Sequence, residues 1–293
     1  MSADLRVAGA PISWGVCELP GWGYQIDAER VLREAAALGI SAVEAGPDGF
    51  LPQRPEDAAD LLRRHGLGLV GGFVPVVLHR PEIRAAELES VERQAKLFAA
   101  AGGGVMVLAA STGLDDYEES VDLDDAEWDE LFASLALVEE IGAKHDLRVV
   151  MHPHYGTAIE KPHQIQRFLE GCETGLCLDT GHVMVGGGEP MEIARAAAER
   201  VRHVHLKDVD RRLAGRVVSG EVGYEEAVRQ EMYRPLGEGD VDLRGVLELL
   251  QGTGYRGWFV LEQDVMLVAE PDAKDGPSVD VGKSLAFLEE VMG

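Results

Sequence analysis

Five residues able to bind a metal or move a proton stand at one register of the chain, each closing a short apolar run. Glu44 ends Ser-Ala-Val-Glu, His152 ends Val-Val-Met-His, and Asp179 follows Gly-Leu-Cys-Leu. His205 lies in His-Val-His-Leu-Lys-Asp, and Glu262 ends Trp-Phe-Val-Leu-Glu. A charge buried at a strand end is costly unless it is paired or holds a metal. His152, Asp179, His205 and Glu262 come from four consecutive runs and offer two imidazoles and two carboxylates. That set suits Mn²⁺, Co²⁺, Fe²⁺, Ni²⁺ or Zn²⁺. A Ca²⁺ or Mg²⁺ site would be an all-oxygen cage, and a structural zinc site would use thiolates. Any one of these side chains alone could be a hydrogen-bonded strand end, and Asp179 could cap the turn that follows it. Four in one register point to a divalent-metal site.

Elements that bring such ends together are strands of a parallel sheet. Eight β-rich runs are predicted, at 6–12, 41–44, 68–73, 104–109, 148–152, 175–178, 201–206 and 258–262. Between them lie Ala-, Leu- and Glu-rich segments with helical periodicity. Within 85–101 the stripe is Leu88, Val91, Ala95 and Phe98; within 125–144 it is Trp128, Leu131, Leu135 and Val138. Within 281–292 it is Leu285, Leu288 and Val291. Glycines after Leu38 and His65, and at 102–104 and 252–254, close helices just before strands. Strict alternation implies right-handed parallel crossovers, and eight repeats favour one closed (β/α)₈ TIM barrel over residues 1–293. The first strand–helix turn lacks the Gly-x-Gly-x-x-Gly of a dinucleotide fold. Two insertions, 111–124 and 208–240, follow strand ends, where barrel enzymes place substrate loops.

Composition narrows the partners. The 293 residues carry 52 Asp plus Glu against 27 Lys plus Arg, a formal net charge of -25. That field repels phosphate, which argues against nucleic acid or an anionic membrane as a partner. Three cysteines, Cys17, Cys172 and Cys177, include no Cys-x-x-Cys pair and give no disulfide framework. The N-terminus shows no long apolar run, and no stretch reaches the length of a membrane span, so a cytoplasmic enzyme is expected. A homo-oligomer is an open possibility, with the 208–240 loop as a contact. Gly102–Gly104 and Gly186–Gly188 lack the Lys-Ser/Thr of a phosphate loop and read as turns.

The segments Ala10-Pro11-Ile12-Ser13-Trp14, His152-Pro153-His154-Tyr155-Gly156-Thr157 and Leu178-Asp179-Thr180-Gly181-His182 also occur in a known pattern. So do His203-Val204-His205-Leu206-Lys207-Asp208, Pro235-Leu236-Gly237-Glu238-Gly239-Asp240 and Glu262-Gln263-Asp264. In this order they resemble the sugar isomerase/epimerase superfamily of xylose isomerase-like TIM barrels, most nearly its inosose dehydratase branch. The resemblance implies that Asp179, His205 and Glu262 are metal ligands, with Mn²⁺ or Co²⁺ as the expected ion. Ketose epimerases of the superfamily usually carry Glu at the position of His152 and shuttle protons between two glutamates. His152 therefore favours elimination over epimerisation.

The implied reaction is loss of water from a cyclic polyhydroxy ketone such as 2-keto-myo-inositol, through an enediolate, to a trihydroxycyclohexane-dione. Glu262 and His154 are then the candidate base and acid, with either assignment open, and Lys207 assists at the enediolate. Trp14, Glu44, His182 and Asp208 are the expected substrate contacts, although Asp208 could equally fix Lys207 or serve its loop. The loop 15–23 and the segment 71–75 depart from the branch and are expected to line the substrate pocket. An isomerase or epimerase on the same metal site, and a non-catalytic sugar-binding barrel, are the alternative functions. A multi-zinc endonuclease of the same barrel is disfavoured by the charge.

Overall fold

The computed structural model describes residues 6–114, 118, 120–272 and 276–292. Nine parallel strand segments form one sheet: β1 (Arg6–Gly9), β2 (Ala42–Val43), β3 (Gly68–Leu69), β4 (Gly71–Val76) and β5 (Val105–Ala110). It continues through β6 (Arg148–Met151), β7 (Gly175–Asp179) and β8 (Val201–Leu206). A separate antiparallel pair, β9 (Asp208–Val209) and β10 (Tyr233–Arg234), precedes β11 (Trp258–Leu261), which lies between β8 and β1. The sheet's two edges, β3 and β4, are halves of one strand interrupted at Val70. The Val70 N–H donates to Val43 O at 2.9 Å, and its carbonyl accepts from Gly104 N at 2.8 Å. The sheet thus closes on itself, giving the eight-strand barrel that the alternation predicts.

The helices are α1 (Ala28–Ala37), α2 (Pro55–Arg64), α3 (Arg84–Ala100), α4 (Asp125–Lys144), α5 (Pro162–Gly171) and α6 (Thr180–Val185). They continue with α7 (Pro190–Ala196), α8 (Arg211–Val218), α9 (Tyr224–Arg229), α10 (Leu243–Gly252) and α11 (Pro277–Met292). Local chemistry starts the longest of them. The Asp124 side chain accepts from Glu127 N at 2.9 Å and the Glu127 side chain accepts from Asp124 N at 2.8 Å, a reciprocal box that opens α4. Its stripe of Trp128, Leu131, Leu135 and Val138 is buried, each large side chain contributing about 1.5–3 kcal/mol. On α3, Val91, Ala95 and Phe98 are buried in the same way. Strand β5 reads Val-Met-Val-Leu-Ala-Ala and is buried on both faces, as a parallel strand covered by helices should be.

Three expectations need correction. The first strand stops at Gly9, not Ile12, and Pro11–Trp14 forms a 3₁₀ turn. Proline has no N–H for a ladder, and Gly15 takes the left-handed conformation (φ 77°) that lets its N–H cap Ile12 O. The third strand breaks at Val70 and then runs on to Val76 rather than ending at Phe73. The 208–240 insertion is not an open loop but β9, α8, α9 and β10 packed together. Within the 111–124 segment, residues 115–117 and 119 lie outside the described residues, as does the N-terminal stretch before Arg6.

Closure leaves no room beside Val70. A Cβ on Gly71 would collide with the Val105 carbonyl oxygen. Gly71→Ala should therefore destabilise the barrel by roughly 3 kcal/mol, the upper end of overpacking costs. The urea midpoint of the variant measures it, and an unchanged midpoint would contradict this account of closure.

Candidate metal centre at the barrel mouth

Strand register does the positioning. A shift between Leu176 and Cys177 sets Asp179 opposite His205 on the neighbouring strand. On the other side Val260 faces His205, and Glu262 N donates to Leu206 O at 3.1 Å. A one-residue slip would turn every one of these side chains to the opposite face. The turn after Asp179 is locked to β8: Thr180 Oγ1 donates to Lys207 O at 2.7 Å and accepts from Lys207 N at 2.9 Å. Gly181 permits that contact, because a Cβ there would lie 2.6 Å from Lys207 Cβ. Asp179 also caps α6, its Oδ1 accepting from His182 N at 2.7 Å.

Asp179, His205 and Glu262 bring their donor atoms into one cluster, and His152 approaches it from the side of Asp179. His152 Nε2 lies 3.2 Å from Asp179 Oδ2, and His205 Nδ1 lies 3.6 Å from Asp179 Oδ2 and 3.1 Å from Glu262 Oε2. Donors about 2.1 Å from a shared ion sit roughly 3.0–3.4 Å from one another, so the spacing suits a first-row divalent metal. The ring orientation suits it too. His205 Nε2 donates to Glu44 Oε1 at 3.1 Å, which turns Nδ1 toward the two carboxylates. His205 Nδ1 and His152 Nδ1 are buried without a hydrogen bond. A lone pair facing two carboxylate oxygens is repelled unless a proton or metal ion lies between them.

Without an ion, the electrostatics fill that gap with a proton, which a bound metal would have to displace. Burial disfavours a charged His205, yet Cys177 and the carboxylates of Glu262 and Glu44 outweigh it and push the imidazole well above its usual range. Burial would raise the Asp179 carboxyl, but Lys207, His182 and His152 hold it well below normal. Glu262 behaves likewise: His205 and Lys207 overcome burial and lower it. Glu44, against burial, is lowered by His205 and His203, and His203 Nε2 donates to the same Oε1 at 2.7 Å. Lys207 stays cationic despite burial, its Nζ lying 3.4 Å from Asp179, 3.0 Å from Glu262 and 2.9 Å from Asp264.

Next to this centre stand two neutral imidazoles. His154 is lowered well below its usual range by burial, then by His152 and Lys207. Its Nδ1–H donates to Tyr155 O at 2.7 Å, so Nε2 is the proton-accepting nitrogen of the neutral ring. His182 is lowered by burial, His154 and Lys207, and its Nε2 accepts from Lys207 Nζ at 2.8 Å. The two rings pack at a tilt of 37°, with centroids 3.7 Å apart.

A cavity of about 570 Å³, counting space open to solvent, exposes Glu44, His152, His154, His205, Lys207 and Glu262 on its floor. The loop 15–23 and the segment 71–75 do line it, through Cys17, Glu18, Trp22 and Phe73. Trp14 and Asp208, expected as substrate contacts, lie outside the lining. The Trp14 indole donates to Glu34 at 3.0 Å from within the core. Asp208 holds its own loop, its carboxylate accepting from the N–H groups of Val209, Gly237, Gly239 and Val241 at 2.8–3.0 Å. His182 sits behind Lys207 rather than in the lining. Asp264 and His203 went unassigned in the sequence. Asp264 lines the cavity and pairs with Lys207 and with Tyr224, whose hydroxyl donates to it at 2.6 Å.

Fold and site together define a TIM barrel whose strand ends form a carboxylate–imidazole centre at its mouth. The chain belongs to the xylose isomerase-like TIM barrel family, whose model matches residues 32–290. It is 28% identical to an inosose dehydratase of Lactiplantibacillus plantarum, with 89% of each chain covered. It is 29% identical to the rhizopine catabolism protein MocC of Rhizobium meliloti, over 89% of this chain and 82% of that one. Among solved structures, a D-allulose 3-epimerase from Methylomonas sp. superposes with a TM-score of 0.69 at 16% identity, covering 99% of this chain and 98% of that one. A 3-keto-D-glucoside 4-epimerase from E. coli gives 0.68 at 16%, covering 98% and 99%. At such identity these structures bear on the fold alone. Among the described residues, no helix is long and apolar enough to cross a membrane.

If Glu44 orients His205 from behind, Glu44→Gln should weaken Mn²⁺ binding roughly 10–100-fold, as loss of a partner behind a metal-binding histidine does. Titration calorimetry with Mn²⁺ measures it. An unchanged Kd would remove Glu44 from that role.

Proposed function

We propose that the chain, as one barrel domain over residues 1–293, is a metal-dependent carbon–oxygen lyase acting on a cyclic polyhydroxy ketone such as 2-keto-myo-inositol through an enediolate. The chain is an enzyme of lyase or isomerase/epimerase type, and its substrate class is a small sugar or polyol. One observation carries the finer reading: a neutral imidazole, His154, stands in the cavity beside a fixed ammonium, Lys207, and a four-donor centre. The relatives named inosose dehydratase support the choice of ring.

A divalent ion, Mn²⁺ or Co²⁺, held by His152, Asp179, His205 and Glu262 would polarise the ketone and offset the negative charge that develops on the substrate. His154 Nε2 takes the proton from the carbon next to the carbonyl, the form of the ring that burial maintains. Elimination of water returns one proton to the departing hydroxyl, so the same imidazole can deliver what it removed. Lys207, held charged by three carboxylates, stabilises the enediolate and is too basic to be a ready acid. Glu262 Oε2 is committed to His205 and Lys207, which suits a ligand better than a mobile base. His152 itself argues against the two-glutamate proton exchange of an epimerase.

Proton NMR of the Mn²⁺-loaded protein with 2-keto-myo-inositol in deuterated water should show the dehydrated dione. Deuterium entering beside the carbonyl without water loss would replace the lyase with an isomerase or epimerase. His154→Ala should keep its metal while losing at least about tenfold in kcat. Wild-type turnover in that variant would exclude His154 as the catalyst.

A further inference from the structure

The cavity lining is of two kinds: one group is charged and imidazole-rich, here called the floor, and the other, here called the wall, comprises Pro11, Val16, Cys17, Trp22, Pro47 and Phe73. Among the described residues, the hydrogen bonds already made along that wall leave few groups for a hydroxyl. Pro11 and Pro47 have no N–H, and the Pro11 carbonyl already accepts from Val16 N at 3.2 Å. Cys17 N donates to Gln25 Oε1 at 3.0 Å, and the Pro47 carbonyl accepts from Phe50 N at 3.0 Å. The one polar group of Trp22 is spent, since Nε1 donates to Val265 O at 2.9 Å. Phe73 marks the seam, with its ring 5.5 Å from His154 on the floor side. Glu18 is exposed at the rim.

A ring hydroxylated on every carbon would press several hydroxyls against this wall and strip them of water without replacement. Buried hydroxyls left unpaired are penalised, whereas methylene and methyl groups gain by the same transfer. We propose that the natural substrate carries an apolar edge. It is a polyhydroxylated cyclic ketone in which a ring carbon far from the carbonyl bears hydrogen or an O-methyl group in place of a free hydroxyl. The inference rests on the reading of the floor as a polyol-ketone site and concerns only the wall. The ketone and its neighbouring hydroxyl occupy the floor, and the modified carbon lies between Trp22, Val16 and Phe73.

The test compares three ketones with the Mn²⁺-loaded protein: 2-keto-myo-inositol, its analogue deoxygenated at the carbon opposite the carbonyl, and its O-methyl ether there. One or both modified ketones should exceed the parent in kcat/KM by roughly 10–100-fold, the discrimination one such group gives in an apolar pocket. A parent ketone that matches or exceeds both would overturn the proposal. A second arm uses calorimetry with the matching polyols, which lack the carbonyl and cannot undergo the reaction. If no ketone loses water but a modified polyol binds at least tenfold more tightly than the parent, the lyase reading falls and the apolar edge stands. Where no ketone turns over, equal binding or no binding of any polyol overturns the apolar edge. Val16→Thr, which puts a hydroxyl on the wall at nearly constant volume, should shift the binding ratio several-fold toward the fully hydroxylated ring. A ratio that does not move would remove Val16 from the wall.

Discussion

Four carboxylates crowd one buried mouth: Glu44, Asp179, Glu262 and Asp264 are all at most 8% exposed, and Lys207 is the single lysine among them. Such a cluster cannot be left unbalanced, because removing charges from water costs several kcal/mol for each ion that lacks a partner. The structure meets this demand in layers. Lys207 bridges Asp179, Glu262 and Asp264, His203 and His205 share Glu44, and Tyr224 donates to Asp264. Positive charge is still short of negative, and the shortfall lies between His205 Nδ1 and two carboxylate oxygens. A divalent ion there would cancel two of the remaining negative charges, and the same field that binds it would stabilise an enediolate.

The barrel supplies the rigidity this requires. Opposite partners are fixed by ladder register, and the shift at Leu176 and Cys177 is what aligns Asp179 with His205. The inserted 208–240 segment has a structural duty as well as a position at the mouth. Asp208 gathers four backbone N–H groups, and α9 delivers Tyr224 onto Asp264, so the loop that follows β8 is tied to the loop that follows β11. Buried polar networks of this kind hold a site together when every member is satisfied.

Much of this was legible before folding, for identifiable reasons. Strand ends converge in any parallel barrel, so the types and register of Asp179, His205 and Glu262 were enough to expect them side by side, with His152 next to Asp179. The strands themselves were read to within a residue or two except where Pro11 and Val70 interrupt the ladder. Trp14 and Asp208 misled because their contacts are made with Glu34 and with a distant loop, pairings that no local spacing encodes. Glu44 was read as a substrate contact, and its grip on His205 from the far side of the barrel depends on closure. His203 sits two residues before His205, a proposed ligand, and reaches the same Glu44, a period-two signal that could have been used. Asp264 stood in view in Glu-Gln-Asp, but its role depends on Lys207 and on Tyr224 from a six-residue helix too short to register as a period.

The central claim is that the mouth is a single-ion site held by His152, Asp179, His205 and Glu262. Anomalous diffraction at the manganese edge, from crystals of the protein grown with Mn²⁺, tests it most directly. The account predicts one strong peak per chain between Asp179 Oδ2, His205 Nδ1 and Glu262 Oε2, with His152 Nε2 beside it. No peak at that point, or manganese bound only elsewhere on the acidic surface, would contradict it.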